Sequence, residues 1–138
     1  MPTPSIHTLK ISQLKKSFGR KEVVRGVDFE MKNGEVAGLL GPNGAGKTTI
    51  FYIIVGFYTP SAGEVWLDDI PITKQPMYLR SREGLAYLPQ EASIFRKLTV
   101  EQNIWAIIET RKDLSLTEKK ERTEFLMEEF GISRLRKQ

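Results

Sequence analysis

The sequence predicts an α/β fold, and three features of the chain support this prediction. Short apolar runs rich in β-branched residues, which are typical of strands, recur before residue 90. A glycine-rich loop at 41–49 separates one such run from a helix-like segment. Two helix-start patterns follow, at Thr99 and Ser115. At 138 residues the chain is long enough for one ordinary domain with a single core.

An antiparallel ribbon is predicted to lead into the glycine-rich loop. Residues 6–14 and 22–31 carry the loosely alternating apolar pattern of two strands. Asn33-Gly34 is a strong signal for a tight hairpin turn. The apolar run 36–40 is therefore expected to form a buried strand that follows the ribbon and carries the loop.

Alternating elements and turns are predicted between the loop and residue 98. In order, we expect a helix at 48–55, a turn at 59–63, a strand at 64–67, irregular chain at 68–76 and a buried strand at 85–88. Pro89 should end the last strand because proline has no backbone N–H to donate.

Helices are predicted beyond residue 98. Thr99 with Gln102, and Ser115 with Glu118, each have the spacing of a capping box at a helix N-terminus. Gly131 is expected to end the second helix.

The loop carries the strongest functional signal. Its sequence, GPNGAGKTT, matches G-x-x-x-x-G-K-S/T at every required position, which predicts a site for the phosphates of a nucleotide triphosphate. Lys47 is expected at the β- and γ-phosphates and the Thr48 hydroxyl at Mg²⁺. The alternative is a plain glycine-rich turn between two packed elements. The predicted binding residues are Gly41, Pro42, Asn43, Gly44, Ala45, Gly46, Lys47, Thr48 and Thr49.

Composition excludes several other classes of site. The chain has no cysteine, so it forms neither a disulfide framework nor a thiolate metal site. Its longest apolar stretch, 50–58, is far shorter than the roughly 20 residues that span a bilayer, so membrane association is expected through a partner. The net charge of +4 is mild. The basic N-terminal segment leaves a nucleic-acid surface open, but solvated residues around a nucleotide pocket are favoured, and no nucleic acid is expected.

The loop string, followed by YLPQE at 87–91, resembles the nucleotide-binding domain of ABC transporters. The longer string GLAYLPQEASIFRKLTVEQNI, at 84–104, resembles more narrowly the ATPase subunits that drive lipopolysaccharide export in Gram-negative bacteria. The likeness covers essentially the whole chain and implies the P-loop NTPase fold of the ABC ATPase type. In that fold, residues 1–98 would be the β-subdomain and the ATP-binding core with RecA-like strands, and 99–138 the start of a helical subdomain.

The resemblance also implies roles for residues outside the loop. Phe18 lies where the family places an aromatic residue, often tyrosine, that stacks on adenine. Gln90 matches the glutamine that joins Mg²⁺ and the attacking water, and it would share the catalytic role with Lys47.

A partner groove is implied in the same way. Phe95 and Arg96 match the region that receives the membrane subunits, and Arg82, with Arg80, could serve the same interface. An aromatic–arginine pair is typical of interface anchors. Core packing of Phe95 is the alternative.

The resemblance implies ATP and Mg²⁺ as cofactors, a homodimer of ATPase subunits, and integral membrane partners that hold the subunit at the cytoplasmic face of the inner membrane. The family's signature loop, second acidic strand, dimer loop and switch histidine are not found in the sequence. We therefore expect an N-terminal portion that binds ATP without hydrolysing it and whose sheet lacks a central neighbour. The alternatives are an ATPase for branched-chain amino acids or another cargo, a non-transport ABC protein acting on ribosomes or DNA, and a binding-only truncation.

Overall fold

The computed structural model describes residues 7–91 and 93–138, so the start of the predicted first strand, Ile6, lies outside the described residues. The chain forms two compact units, Met1–Leu88 and Pro89–Gln138. The first contains a β-sheet with two helices, and the second is helical. The predicted combination of strands and helices is confirmed.

The first unit is built on a four-stranded antiparallel sheet. The strands are β1 (Thr8–Phe18), β2 (Lys21–Lys32), β3 (Ala62–Leu67) and β4 (Ile70–Pro71), in the order β2-β1-β3-β4. The predicted ribbon is confirmed as the β1–β2 hairpin, in which Leu9 lies opposite Met31 and Phe18 opposite Lys21. β3 pairs with the other edge of β1.

Helix α1 (Lys47–Val55) packs on this sheet and completes the core of the unit. The buried members of the core come from the sheet, from α1 and from the segment after β4. They are Ile11, Leu14, Val24, Ile50, Ile53, Ile54, Val65 and Ile72. Burying an aliphatic side chain of this size stabilises a fold by about 1.5–3 kcal/mol, so this cluster fixes α1 against the sheet.

Helix α2 (Met77–Arg82) was not predicted, and it brings a buried cation to the core. The Arg80 side chain is 1% exposed. Its guanidinium donates to the backbone oxygens of Ile53, Ile54, Thr73 and Gln75 at 2.7–2.9 Å. Burial lowers the Arg80 pKa below its usual value. The suggested interface role of Arg80 is therefore wrong, because its donors face the protein interior.

Two predicted strands, 36–40 and 85–88, do not form. The turn at Asn33-Gly34 is present, with Glu35 N–H donating to the Lys32 oxygen at 3.1 Å, but the chain beyond it has no strand pairing. Val36, Leu40 and Leu88 are more than nine-tenths exposed. Buried strands need hydrogen-bonded neighbours, and no strand of the described residues pairs with either segment. The sheet that was expected to lack a central neighbour, the one that contains the strand before the loop, does not form among the described residues.

The second unit consists of α3 (Val100–Ile108), α4 (Leu116–Glu129) and a 3₁₀ turn at Ser133–Leu135. Both predicted capping boxes are confirmed, with Thr99 capping α3 and Ser115 capping α4. Among the described residues, no helix has the length and apolar character needed to cross a membrane.

Candidate functional site

The glycine-rich loop ends at an uncapped helix N-terminus. Gly46, at φ 91° and ψ 5°, precedes the first residue of α1 and offers no side-chain cap, and the first turn contains no acidic residue. The first backbone N–H groups of a helix have no partner within the helix, and they lie at its positive end. Together with the exposed loop residues Asn43 and Gly44, this end of α1 presents N–H donors to an anion, whereas the Ala45 N–H donates to the Pro42 oxygen at 3.2 Å.

Gly46 also fixes the loop against the sheet. A Cβ atom at this position would lie 2.7 Å from the backbone oxygen of Val23 and 3.3 Å from that residue's side chain. In a phosphate-binding loop, glycine lets the backbone come close to phosphate oxygens. At Gly46 the close approach is to β2, so this glycine serves packing as well as the positive φ.

Lys47 closes the loop onto its own helix. Its Nζ donates to the backbone oxygens of Gly41 at 2.6 Å and of Pro42 at 2.8 Å. These bonds hold a positive charge at the loop, beside the N-terminus of α1. The charge and the uncapped N–H groups together favour binding of an anion with several oxygens.

The threonines that follow Lys47 differ in exposure. Thr48 is exposed and its hydroxyl has no hydrogen bond to the described residues, whereas Thr49 is half-buried. No group of three or more histidine, aspartate or glutamate residues among those described is arranged to hold a metal ion. A single hydroxyl beside a phosphate site suits Mg²⁺, which takes most of its ligands from water and phosphate. The residues present therefore fit the ion if it arrives with the phosphates.

Phe18 lies at the end of β1, near the loop. Phe18 lies opposite Lys21 in the β1–β2 hairpin. Lys21 is two residues before Val23, whose carbonyl approaches Gly46, so strand spacing places Phe18 on the order of 10 Å from the loop. Its side chain is 44% exposed. An exposed aromatic ring at this distance from a phosphate site is suited to stacking on a base.

Sequence reasoning missed the aromatic cluster that extends from Phe18. The rings of Phe18 and Tyr58 pack edge to face with centroids 5.4 Å apart, and Tyr52 packs on Tyr58 at the same distance. Tyr87 packs on Tyr52 at 6.3 Å, and its pKa is raised by burial and by Tyr52. The only sequence signal was the density of aromatic residues at 51–58.

The remaining predicted residues are exposed, and they belong to different units. Gln90, Phe95 and Arg96 belong to the second unit, and Phe95 is 59% exposed, which removes the alternative of core packing for that residue. Arg82 belongs to the first unit, with its guanidinium carbon 5.6 Å from the centre of the Tyr78 ring.

Asn103 organises the loop that carries Phe95, and sequence reasoning did not identify it. Its side chain accepts from Phe95 N–H at 2.8 Å and donates to the oxygens of Phe95, Leu98 and Thr99 at 3.0–3.1 Å. The loop is thereby tied to α3, so the exposed position of Phe95 is held by hydrogen bonds and not by apolar packing.

Comparison with known proteins agrees with this geometry. The family model described as ABC transporter matches residues 24–138. The chain is 47% identical over 129 residues to the lipopolysaccharide export system ATP-binding protein LptB of Escherichia coli strain K12, covering 94% of this chain and 54% of LptB. It is 46% identical over 136 residues to a probable ABC transporter ATP-binding protein of Azorhizobium caulinodans, covering 99% of this chain and 48% of that protein.

A solved ATP-binding subunit of an ABC transporter superimposes with a TM-score of 0.75 at 26% identity, over 94% of this chain and 52% of that one. The chain thus spans about half the length of the curated relatives it matches. A family match over most of the chain, joined to the loop and helix described above, establishes that the chain belongs to the ABC transporter family.

Proposed function

We propose that this chain is the ATP-binding part of an ABC transporter ATPase subunit that couples Mg-ATP binding and hydrolysis to lipopolysaccharide export. One observation carries the proposal: the glycine-rich loop places the Lys47 ammonium beside the uncapped N-terminus of α1. The identity of 47% to LptB supports lipopolysaccharide as the cargo, in preference to branched-chain amino acids.

Phosphate binding would exchange partners at the loop. The Lys47 ammonium would leave the carbonyls of Gly41 and Pro42 and donate to phosphate oxygens, where charge-assisted hydrogen bonds are stronger. The N–H groups of residues 44–49 would donate to the same oxygens, and Phe18 would stack on the base. The Ala45 N–H would leave the Pro42 oxygen in the same exchange, while Gly46 and α1 hold the end of the loop against the sheet.

Thr48 and Gln90 are the residues that would hold Mg²⁺ in this proposal. The ion, when bound, supplies positive charge at the β- and γ-phosphates. Thr48 is exposed in the first turn of α1, directly after Lys47. Gln90 would orient the attacking water. The 138-residue sequence contains no Leu-Ser-Gly-Gly string, so we expect the chain by itself to bind Mg-ATP and to release no phosphate.

The partners follow from the same proposal. Two ATPase subunits would enclose the nucleotides, and membrane subunits would dock at Phe95, Arg96 and Arg82, holding the subunit at the inner face of the inner membrane. The exposure of Phe95 supports this role. Co-purification from a Gram-negative host should recover periplasm-bridging export subunits, and recovery of an amino-acid permease in their place would contradict the cargo assignment.

Calorimetric titration of the chain with Mg-ATP tests the binding function. Lys47→Ala removes the ammonium at the loop and should weaken ATP binding by about ten- to a hundredfold, the value of a hydrogen bond to a charged group. Lys74→Ala removes an exposed lysine elsewhere in the same unit and is the matched control. Equal affinities for the Lys47 variant and the control would contradict the proposal.

A further inference from the structure

Lys16 holds a positive charge against the aromatic residue proposed to stack on the base. Its Nζ lies 5.1 Å from the ring centre of Phe18 and 5.8 Å from that of Tyr58. The same ammonium donates to the backbone oxygen of Thr59 at 2.6 Å, which fixes it in place. Lys16 is half-buried, although lysine side chains are usually solvated.

The charge of Lys16 is not neutralised by an ion pair. Among residues 7–91 and 93–138, no carboxylate lies within salt-bridge distance of its Nζ. The groups that receive the charge are therefore one carbonyl and the electron-rich faces of two rings. This arrangement differs from that of a solvated surface lysine, for which an anionic partner or water would be the usual environment.

The Phe18 ring is held by two contacts that leave part of it open. Tyr58 meets it edge to face, at an interplanar angle of 75°, and the Lys16 ammonium covers one face. A base needs about 3.5 Å above a ring and cannot enter between the ring and an ammonium 5.1 Å from its centre. Stacking is therefore restricted to the face away from Lys16, and a ring whose other face binds a cation prefers an electron-rich partner.

We propose that Lys16 is a positioning residue for the nucleobase: it orients Phe18 and directs the open face of that ring toward a purine. The inference rests on the proposed function, since it assumes that the loop binds the phosphates of the same nucleotide. Lys16 acts through Phe18 and has no role at the phosphates. Its contribution should therefore appear in binding of ATP and be absent from binding of inorganic triphosphate.

Calorimetric titration with Mg-ATP and, separately, with Mg-triphosphate separates the two contributions. Lys16→Met keeps the length of the side chain and removes the charge. It should weaken ATP binding by about two- to fivefold, because the cation–π energy that orders the ring before binding is lost and binding must supply it, and it should leave triphosphate binding unchanged. Lys16→Arg keeps the cation over the ring and should restore most of the ATP affinity. Lys15→Met, a neighbouring lysine that is exposed, is the matched control for net charge.

The possible outcomes distinguish this inference from the proposed function. Equal weakening of ATP and triphosphate binding by Lys16→Met would show that Lys16 attracts phosphate and would overturn the inference, as would an unchanged ATP affinity. The inference would also be overturned if the unsubstituted chain bound ATP and triphosphate with equal affinity, because Phe18 would then not stack on the base. A parent chain that binds neither would overturn the proposed function itself. Circular dichroism of each variant confirms that the compared proteins are folded.

Discussion

Replacing Arg80 by methionine should destabilise the first unit more than any other single change at a charged residue of that unit. Arg80→Met keeps a long unbranched side chain in the core but removes the guanidinium. The Ile53 oxygen would retain a bond from Gly56 N–H at 3.2 Å. The oxygens of Ile54, Thr73 and Gln75 have no other hydrogen-bond donor among the described residues.

The magnitude follows from these three oxygens. Each buried acceptor that loses its partner costs about 1–3 kcal/mol. The loss is partly offset because a desolvated cation, whose pKa burial already lowers, is also removed. The net cost should be about 2–4 kcal/mol, because the Ile54 oxygen is buried whereas the oxygens of Thr73 and Gln75 are partly buried. Arg80→Lys keeps the charge but has a single donor group, so it should lose roughly half as much.

Urea unfolding followed by tryptophan fluorescence measures this cost. Trp66 belongs to the same unit as Arg80, so a Trp105→Phe background leaves one reporter for that unit. Arg82→Met is the matched control, because Arg82 is exposed and its guanidinium lies over the Tyr78 ring at the surface. A change in the free energy of unfolding below about 1 kcal/mol for Arg80→Met, similar to that of the control, would refute the reasoning and show that water satisfies these carbonyls.

Two further predictions concern backbone geometry and pH. Gly63→Ala would place a Cβ 2.3 Å from the Gln13 oxygen at φ +85°, so it should lower the free energy of unfolding by at least about 3 kcal/mol in the same assay. Gly34→Ala has a similar φ of +84° but no atom within 4 Å of the added Cβ, so it should cost about 1–2 kcal/mol. Equal losses would contradict the packing argument. The Arg111 guanidinium lowers the pKa of Asp113 to about 2, so Arg111→Gln should raise it toward 3.8 in a carboxyl ¹³C titration. Because the Asp113 pKa is depressed in the folded state, the contact with Arg111 stabilises the chain above pH 3.8, and this effect is lost as the pH falls through about 2. An unchanged Asp113 titration midpoint in the variant would assign the shift to the backbone hydrogen bond of Asp113.

Local signals in the sequence predicted the structure where neighbouring residues alone determine it. The capping boxes at Thr99 and Ser115 satisfy backbone N–H groups only three residues away, and both helices begin where predicted. The glycine-rich loop is local in the same sense, since Gly46 and Lys47 build its geometry within a single turn of chain. The prediction that Phe18 stacks on adenine came from the family resemblance, because no local sequence motif marks this residue.

Features that depend on distant residues could not be predicted. Arg80 looked like a surface arginine because its four acceptors come from α1 and from the segment before α2. Helix α2, which carries Arg80, was not predicted because Pro71 and Pro76 indicate irregular chain just before it. Lys16 likewise has no signature. Phe18 lies two residues further along β1, but Tyr58 and the Thr59 carbonyl reach Lys16 only through the pairing of β1 with β3.

The runs at 36–40 and 85–88 show why an apolar pattern is insufficient to make a strand. Their composition predicts burial on both faces, yet Val36 and Leu88 are exposed because no strand pairs with either run within the described residues. The loop nevertheless keeps its shape. Gly46 contacts β2, and α1 is anchored in the core through residues such as Ile53. The candidate site is thus held through α1, the helix that leaves the loop, and not through the segment that enters the loop, where the expected buried strand does not form.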